Sequence, residues 1–367
     1  MLSDLKKLTA TIFYIWPMFL RVILLSPFAL IYKVVLHLRH GMFNMGVLKS
    51  KDMGHKLLKV GNLALGGSGK TPFVEYLIRV FGDEFEMGVV SRGYGRENDN
   101  LKNVTVDDTA EEVGDEPLQI KRKFPIIPVF LKGDRCAAIS ALRHSHGSNE
   151  VIVLDDALQH RKLMNGLNIL LSSYERPFYK DFLFPSGKLR DLRSRAYSSD
   201  LIIITKSPTI LDLQEETRMR KSLAKYNKPV FFTSIKYTRP QHIFSQKILE
   251  NKVNEHAILV TGIASSQGMK KDILHNAKDW TYFDFGDHHS YSEKDIQKII
   301  EKYGSINVDT VIFTTEKDAQ RLTRGRHVHL LKELPIYAIG IEVQFLKEEE
   351  KFKNAIRNYV RTNSSFS

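Results

Sequence analysis

The chain has 367 residues, 43% of them hydrophobic, which is enough to bury a large core in two domains and excludes an intrinsically disordered chain. Its 54 Lys and Arg against 42 Asp and Glu give a net charge of +12, favouring an anionic partner such as nucleic acid, a phosphorylated substrate or an anionic membrane surface. The single cysteine, Cys136, excludes an internal disulfide framework and a Cys-rich zinc site and fits a reducing, cytoplasmic compartment.

The first element is apolar. Leu8–Leu38 is dominated by Ile, Leu, Phe, Val, Trp and Tyr, but Pro17, Arg21 and Pro27 interrupt it, so no unbroken apolar span of about 18 residues remains. The Ser26-Pro27 context, followed by more apolar sequence, does not look like the cleavage site of a secretory signal. The pattern predicts a helix lying in a membrane interface. Trp16, Phe19, Leu24, Phe28 and Ile31 would enter the acyl boundary, with Arg21, Lys33, His37, Arg39 and His40 at headgroup level. The competing readings are a helical hairpin packed on the protein and a true membrane span.

From Leu57 to about Ile204, apolar runs at 57–60, 87–90, 126–130, 151–154, 167–171 and 201–204 read as buried parallel strands. Segments 72–81 and 133–144 between them suit helices on both faces of an α/β sheet. After Pro208 the tempo changes: 215–226 and 292–303 are helical in pattern, and 229–235, 257–261, 280–285, 310–314 and 336–341 have strand character. The expected organisation is a membrane-associated segment at 1–45, a P-loop NTPase-like α/β domain at 46–210, a linker at 211–230 and a smaller α/β domain at 231–360.

Residues 65–71 read Leu-Gly-Gly-Ser-Gly-Lys-Thr, between the first strand and the following helix. Gly66, Gly67, Ser68 and Gly69 form a loop whose backbone N–H groups converge on phosphate oxygens, Lys70 supplies charge for the β/γ-phosphates, and the Thr71 hydroxyl is placed for Mg²⁺. Ala64 stands where the strict pattern has glycine, but the strand–loop–helix context carries the reading of a nucleoside triphosphate site. Asp155 and Asp156 end the strand at 151–154, where open α/β sheets bind ligands; one of the pair would hold Mg²⁺ and the other orient it or take a proton. They also suit a helix cap or a solvated turn.

Four further clusters follow strands or precede helices. Gln159-His160-Arg161-Lys162 offers donors and cations for a phosphate or sugar, or simply begins a basic helix. In Ser91-Arg92-Gly93-Tyr94-Gly95-Arg96, Arg92 and Tyr94 lie in a glycine-rich loop able to grip an anionic carbohydrate. Asp115 or Glu116 in Gly114-Asp115-Glu116-Pro117 either caps a helix or accepts the proton of an attacking hydroxyl. Pro185–Asp191 is a turn carrying Lys188 and Arg190, and Asp287-His288-His289 is a titratable cluster without zinc-site spacing.

In their order and spacing these motifs resemble the tetraacyldisaccharide 4′-kinase family, the lipid A 4′-kinases of Gram-negative bacteria. The shared run includes GGSGKTP, SRGYGR, VGDEP, VIVLDD with LQH, FPSGKLRD, TKSP, VTGIA, FGDHHSY and TTEKDA. The resemblance implies transfer of the γ-phosphoryl of ATP, with Mg²⁺, to the 4′-hydroxyl of a tetraacylated glucosamine disaccharide 1-phosphate, by a peripheral enzyme on the cytoplasmic face of the inner membrane. It makes 46–210 the kinase domain, Asp115 the catalytic base and His288 its partner. Asp155 and Asp156 become the Walker B pair, and Tyr94, Gln159, His160 and Arg190 fall on positions contacting nucleotide or substrate. Ala157 and Leu158 replace the family's Gly and Phe, and Asp191 stands where a Glu is expected, so a contact carried over to Asp191 has one methylene less reach.

Two other classes share some of these features. A membrane-associated partitioning ATPase usually carries Lys just before the glycine pair, where this chain has Leu65, and a GTPase switch would need an Asn-Lys-x-Asp signature, which is absent. A kinase of another small substrate is the reading left if the apolar terminus is only core. No nucleic-acid reader motif appears, so nucleic acid is not an expected partner.

Overall fold

The computed structural model describes residues 18–54, 56–94, 96, 98–147, 151–250, 255–263, 269, 277–286, 289–323 and 328–362. Its strands are β1 (Leu57–Asn62), β2 (Met87–Ser91), β3 (Lys102–Asn103), β4 (Val129–Leu131), β5 (Val151–Asp155), β6 (Leu167–Ser173), β7 (Leu201–Thr205), β8 (Val230–Tyr237), β9 (Gln241–His242), β10 (His256–Thr261), β11 (Asp279–Asp284), β12 (Thr310–Thr315), β13 (Ile336–Ile339) and β14 (Ile341–Phe345). The helices are α1 (Met18–Asn44), α2 (Lys70–Phe81), α3 (Ala110–Val113), α4 (Asp115–Lys123), α5 (Arg135–His146), α6 (Leu213–Leu223), α7 (Glu293–Gly304), α8 (Glu316–Leu322), α9 (Val328–Leu331) and α10 (Glu349–Thr362).

Nine strands form the larger sheet in the order β14-β8-β7-β6-β1-β5-β2-β4-β3, and five form the smaller in the order β11-β10-β12-β13-β9. The larger sheet is parallel from β8 to β4, with antiparallel β14 and β3 at its edges. Strands β1, β2, β5 and β7 are buried along their whole length, as continuous Val/Ile/Leu runs require when both sheet faces are covered. Alternate side chains serve opposite faces. Leu58, Val60, Val89, Val153 and Ile203 pack under Phe73, Leu77 and Phe81 of α2, Leu118 of α4 and Phe352 and Ile356 of α10. On the other face, Ile152 and Leu154 meet Ile139 and Leu142 of α5, while Ile202 and Ile204 meet Met219 and Leu223 of α6.

Two expected boundaries change. The stretch 211–230 is no linker: it contains α6, capped by Asp212 and packed into the core of the larger sheet through Met219 and Leu223. The unit expected at 231–360 is divided between the sheets, because β8, β14 and α10 belong to the larger one and only β9 to β13 build the smaller. Strand spacing gave no sign of this. β8 and β14 pair antiparallel from Ile341↔Tyr237 to Phe345↔Thr233, so the smaller sheet is an insertion whose two connections leave side by side.

Helix α1 runs for 27 residues straight through Pro27. Proline cannot donate to the carbonyl of Ile23, and the neighbouring Ser26 hydroxyl donates to that oxygen instead (2.7 Å), so the interruption expected at this residue does not occur. Val22–Asn44 is long and apolar enough to cross a bilayer by length and composition. Tyr32, Leu36 and His40 face the protein, while Leu24, Phe28, Ile31, Val35 and Leu38, spaced four, three, four and three residues apart, are each more than half exposed. Arg39 and His40, expected at headgroup level, bind the protein instead: Arg39 donates to the Gln159 carbonyl (3.0 Å) and His40 is buried against Asp191 (2.7 Å).

Candidate active site

The site lies at the carboxyl ends of β1, β2 and β5, where loops of the larger sheet meet α4 and α8. Gly69 at the head of α2 has φ 79°, a left-handed conformation that glycine takes without strain, and it provides no side-chain cap. The first-turn N–H groups of α2 therefore have no capping side chain, the arrangement that suits an anion. β7 pins the loop from below: Thr205 Oγ1 donates to the Ser68 carbonyl (2.8 Å).

Lys70 Nζ stands 3.9 Å from Asp156 Oδ1. Asp156 is also gripped by both terminal guanidinium nitrogens of Arg190, one at 2.8 Å, and the same guanidinium reaches the Asn62 side-chain oxygen. Burial would raise the Asp156 carboxyl, but Arg190 and Lys70 outweigh it and hold it below the usual range. Its neighbour is in the opposite state. Asp155 is 3% exposed, accepts from Ser91 Oγ (3.1 Å) through one oxygen, and leaves the other buried without a hydrogen-bond partner among the described residues. Burial first, then the charges of Glu116 and Asp156, push its carboxyl up to about 7. The adjacent acids are thus electrostatically distinct.

Asp115 opens α4 after Gly114, whose φ of 87° and contact with the Tyr94 carbonyl, 2.9 Å from where a Cβ would sit, leave room for no side chain. Its carboxylate is held bidentately by Arg321 of α8, with Nε donating to Oδ1 at 2.9 Å. Arg321 also donates to the carbonyl of His289 (3.1 Å). His288, the expected partner of Asp115, lies outside the described residues.

The other expected residues divide. Arg92 and Tyr94 are exposed on the loop beside Gly114. Arg190 is in the site, but as the clamp on Asp156. Gln159 turns inward, donating to the Asn62 carbonyl (2.8 Å), so it braces β1. His160 has a buried Nε2 without a hydrogen-bond partner among the described residues and lies beside Asp134 and Cys136; burial, then the nearby Arg135, lowers its pKa to about 4 and keeps it neutral. Asp191 has no exposed surface and sits under α1. A substrate contact was carried over to it from the family; in the structure its Oδ1 faces His40.

Sequence reasoning missed four contributors. Arg135, in the first turn of α5, is buried and feels the charges of Asp155 and Asp156. Lys206, just past β7, directs Nζ to within 3.5 Å of where a Cβ on Gly67 would lie. Arg321 and Asn62 complete the set. A charged residue immediately after a buried strand was the available signal for Lys206, and a cation opening the helix that follows a buried strand was that for Arg135; Arg321 had none, because its helix belongs to the other sheet.

Between α1 and the 181–194 segment opens a cavity of about 660 Å³, lined chiefly by apolar side chains including Val22, Leu30, Phe182, Leu183 and Leu189. Through Leu189 it adjoins the segment that carries Arg190.

A glycine-rich cradle at a helix start, a lysine, a strand-end acid pair and a parallel sheet define an ATP-binding P-loop phosphotransferase. The family model for LpxK, tetraacyldisaccharide-1-P 4′-kinase, matches residues 21–361, and the chain belongs to that family of lipid A biosynthetic kinases. Among curated relatives, the tetraacyldisaccharide 4′-kinase of Bacteroides thetaiotaomicron is 37% identical, over 94% of this chain and 95% of its own. That of Flavobacterium psychrophilum is 35% identical over 93% and 97%. The crystal structure of LpxK from Aquifex aeolicus in complex with ATP has 25% identity and a TM-score of 0.69, covering 92% of this chain and 99% of that one.

Proposed function

We propose that the cleft transfers the γ-phosphoryl group of ATP to the 4′-hydroxyl of a tetraacylated glucosamine disaccharide 1-phosphate, giving lipid IVA, at the cytoplasmic face of the inner membrane. The observation that carries this reading is the approach of Lys70 to Asp156, 3.9 Å apart, beneath the glycine cradle. The ATP seen with the Aquifex aeolicus relative supports it.

Gly66, Gly67, Ser68 and Gly69 present backbone N–H groups to the phosphates, and Lys70 compensates their charge. Asp115 accepts the proton of the 4′-hydroxyl as the oxygen forms its bond to the γ-phosphorus; the β,γ-bridging P–O bond breaks and its electron pair leaves with ADP. Arg321 fixes the orientation of Asp115, and His288 is assigned to the same task. Arg92 and Tyr94 receive the anionic sugar. Thr71, Asp155 and Asp156 are the residues that would hold Mg²⁺. Their oxygens suit a hard cation, and the buried, unpartnered oxygen of Asp155 is a ready ligand atom, whereas Asp156 is already engaged by Arg190. When bound, the ion neutralises charge on the β- and γ-phosphates.

The exposed stripe of α1 rests in the bilayer, and the cavity beside it receives acyl chains, so the headgroup reaches the cleft while its tails stay in apolar surroundings. The test is incubation with ATP, Mg²⁺ and the tetraacyl disaccharide 1-phosphate in vesicles. A lipid heavier by one phosphate is expected; ATP hydrolysis without a phosphorylated lipid would overturn the assignment.

A further inference from the structure

We infer that His40 is a positioning residue for phosphoryl transfer, through which the seat of the apolar helix α1 sets the geometry of Asp156. The inference rests on the reading of Arg190 and Asp156 as parts of the active site.

The link is a strap, residues 188–191. On one side it is stitched to the phosphate loop by backbone: Leu65 N donates to the Lys188 carbonyl (2.7 Å) and Arg190 N to the Leu63 carbonyl (2.8 Å), with Ala64 and Leu189 in an antiparallel bridge. From its centre Arg190 holds Asp156. On its other side α1 takes hold. The Tyr32 hydroxyl donates to the Arg190 carbonyl (2.8 Å), and His40 Nε2 meets Asp191 Oδ1 (2.7 Å).

The tautomer follows from a third contact. Arg161 Nη1, which can only donate, lies 3.3 Å from His40 Nδ1, so Nδ1 accepts and Nε2 carries the hydrogen donated to Asp191. Arg161 also donates to the His40 carbonyl (3.0 Å) and to Asn44 Oδ1 (2.8 Å), fixing the ring from behind.

Asp191 is buried, and among the described residues its Oδ2 has no hydrogen-bond partner; Arg195 Nε is 4.0 Å from it. Besides its own neighbour Leu192 N (2.8 Å), the hydrogen bond to Asp191 Oδ1 comes from His40. Removing that donor cuts the tie by which α1 holds the strap at Asp191 and also leaves a buried carboxylate short of partners; with the tie gone, charged or not, the strap shifts from its seat. Arg190 moves with it. A residue on the membrane-facing helix thereby controls the clamp on a catalytic-site acid without touching the reactants.

The experiment compares His40→Ala and His40→Gln in full-length protein, measuring kcat and KM for ATP and for lipid in vesicles, together with vesicle co-sedimentation. His40→Ala is expected to lower kcat about 10- to 100-fold, the scale of a small misplacement at the reacting centre, with co-sedimentation unchanged. His40→Gln, whose amide can donate to Asp191, should recover most of the loss. Should His40→Ala fold poorly, its combination with Asp191→Asn removes the buried unpaired charge and should still show the reduced kcat. A wild-type kcat in folded, vesicle-bound His40→Ala or in that double variant overturns the inference, as does a loss confined to lipid KM and co-sedimentation, which would make His40 an anchor only. Asp156→Asn separates the two readings: if it retains activity, the site assignment fails whatever His40 does.

Discussion

Arg321, on the first helix after β12 of the smaller sheet, holds both carboxylate oxygens of Asp115, on the first turn of α4 over the larger sheet. The acid proposed as base is therefore oriented by a residue contributed from the other sheet. Close by, Lys123 of α4 bridges Glu75 of α2 (2.8 Å) and Glu316 of α8 (3.0 Å), so the cradle helix, the Asp115 helix and the smaller sheet share one ionic junction.

If Arg321 works through Asp115, the two act as a unit. Arg321→Ala and Asp115→Asn should each lower kcat by about 10²-fold or more with little change in ATP affinity, and the double variant should lose much less than the product of the two. Multiplicative losses would show that Arg321 acts elsewhere and would reopen Asp155 as the base.

Lys70→Ala should lower kcat by about 10²- to 10³-fold, because a main charge over the β/γ-phosphates disappears. Steady-state turnover at saturating ATP checks this; wild-type turnover would remove the cradle from the mechanism.

Asp155 makes a pH-dependent prediction. Its carboxyl is raised from 3.8 to about 7 in the folded protein. Between those values the folded state keeps a proton that the unfolded state has lost, so this group erodes stability as pH rises from about 4 to about 7. Asp155→Asn should abolish phosphoryl transfer, yet raise Tm of the nucleotide-free protein at pH 8 and flatten its decline over that pH range. An unchanged Tm profile would mean that the carboxyl is ionised and paired.

Lys123→Met strands Glu75, which is 1% exposed, beside Glu316. Urea unfolding should show a loss of about 3–5 kcal/mol, the scale for breaking a buried ion pair from one side, and adding Glu75→Gln should restore part of it.

On α1, Phe28 and Ile31 are each more than 60% exposed. Withdrawing one such side chain from an apolar phase costs about 1.5–3 kcal/mol, so Phe28→Glu should weaken vesicle binding by about tenfold or more while ATP binding persists. Co-sedimentation equal to wild type would place the membrane contact elsewhere.

The chemistry of the cradle was legible because it is local: Gly66 to Thr71 form one loop between β1 and α2, and Asp155-Asp156 end a strand whose continuous apolar run marks it as central. The same logic exposed β1, β2, β5, β6 and β7, since burial on both sheet faces leaves an unbroken Val/Ile/Leu signature. Nothing local told that β14 returns to pair with β8, because an antiparallel edge strand reads the same beside either sheet. Nor could local sequence set the roles of Asp155 and Asp156 apart; that difference comes from Arg190, 34 residues away, reaching one acid while burial isolates the other. Arg321 lies 206 residues from Asp115, and His40 lies 151 from Asp191. Charge pairing acts through space, over a few ångströms that only the folded chain defines; hydrophobic periodicity acts along the chain and can be read before it folds.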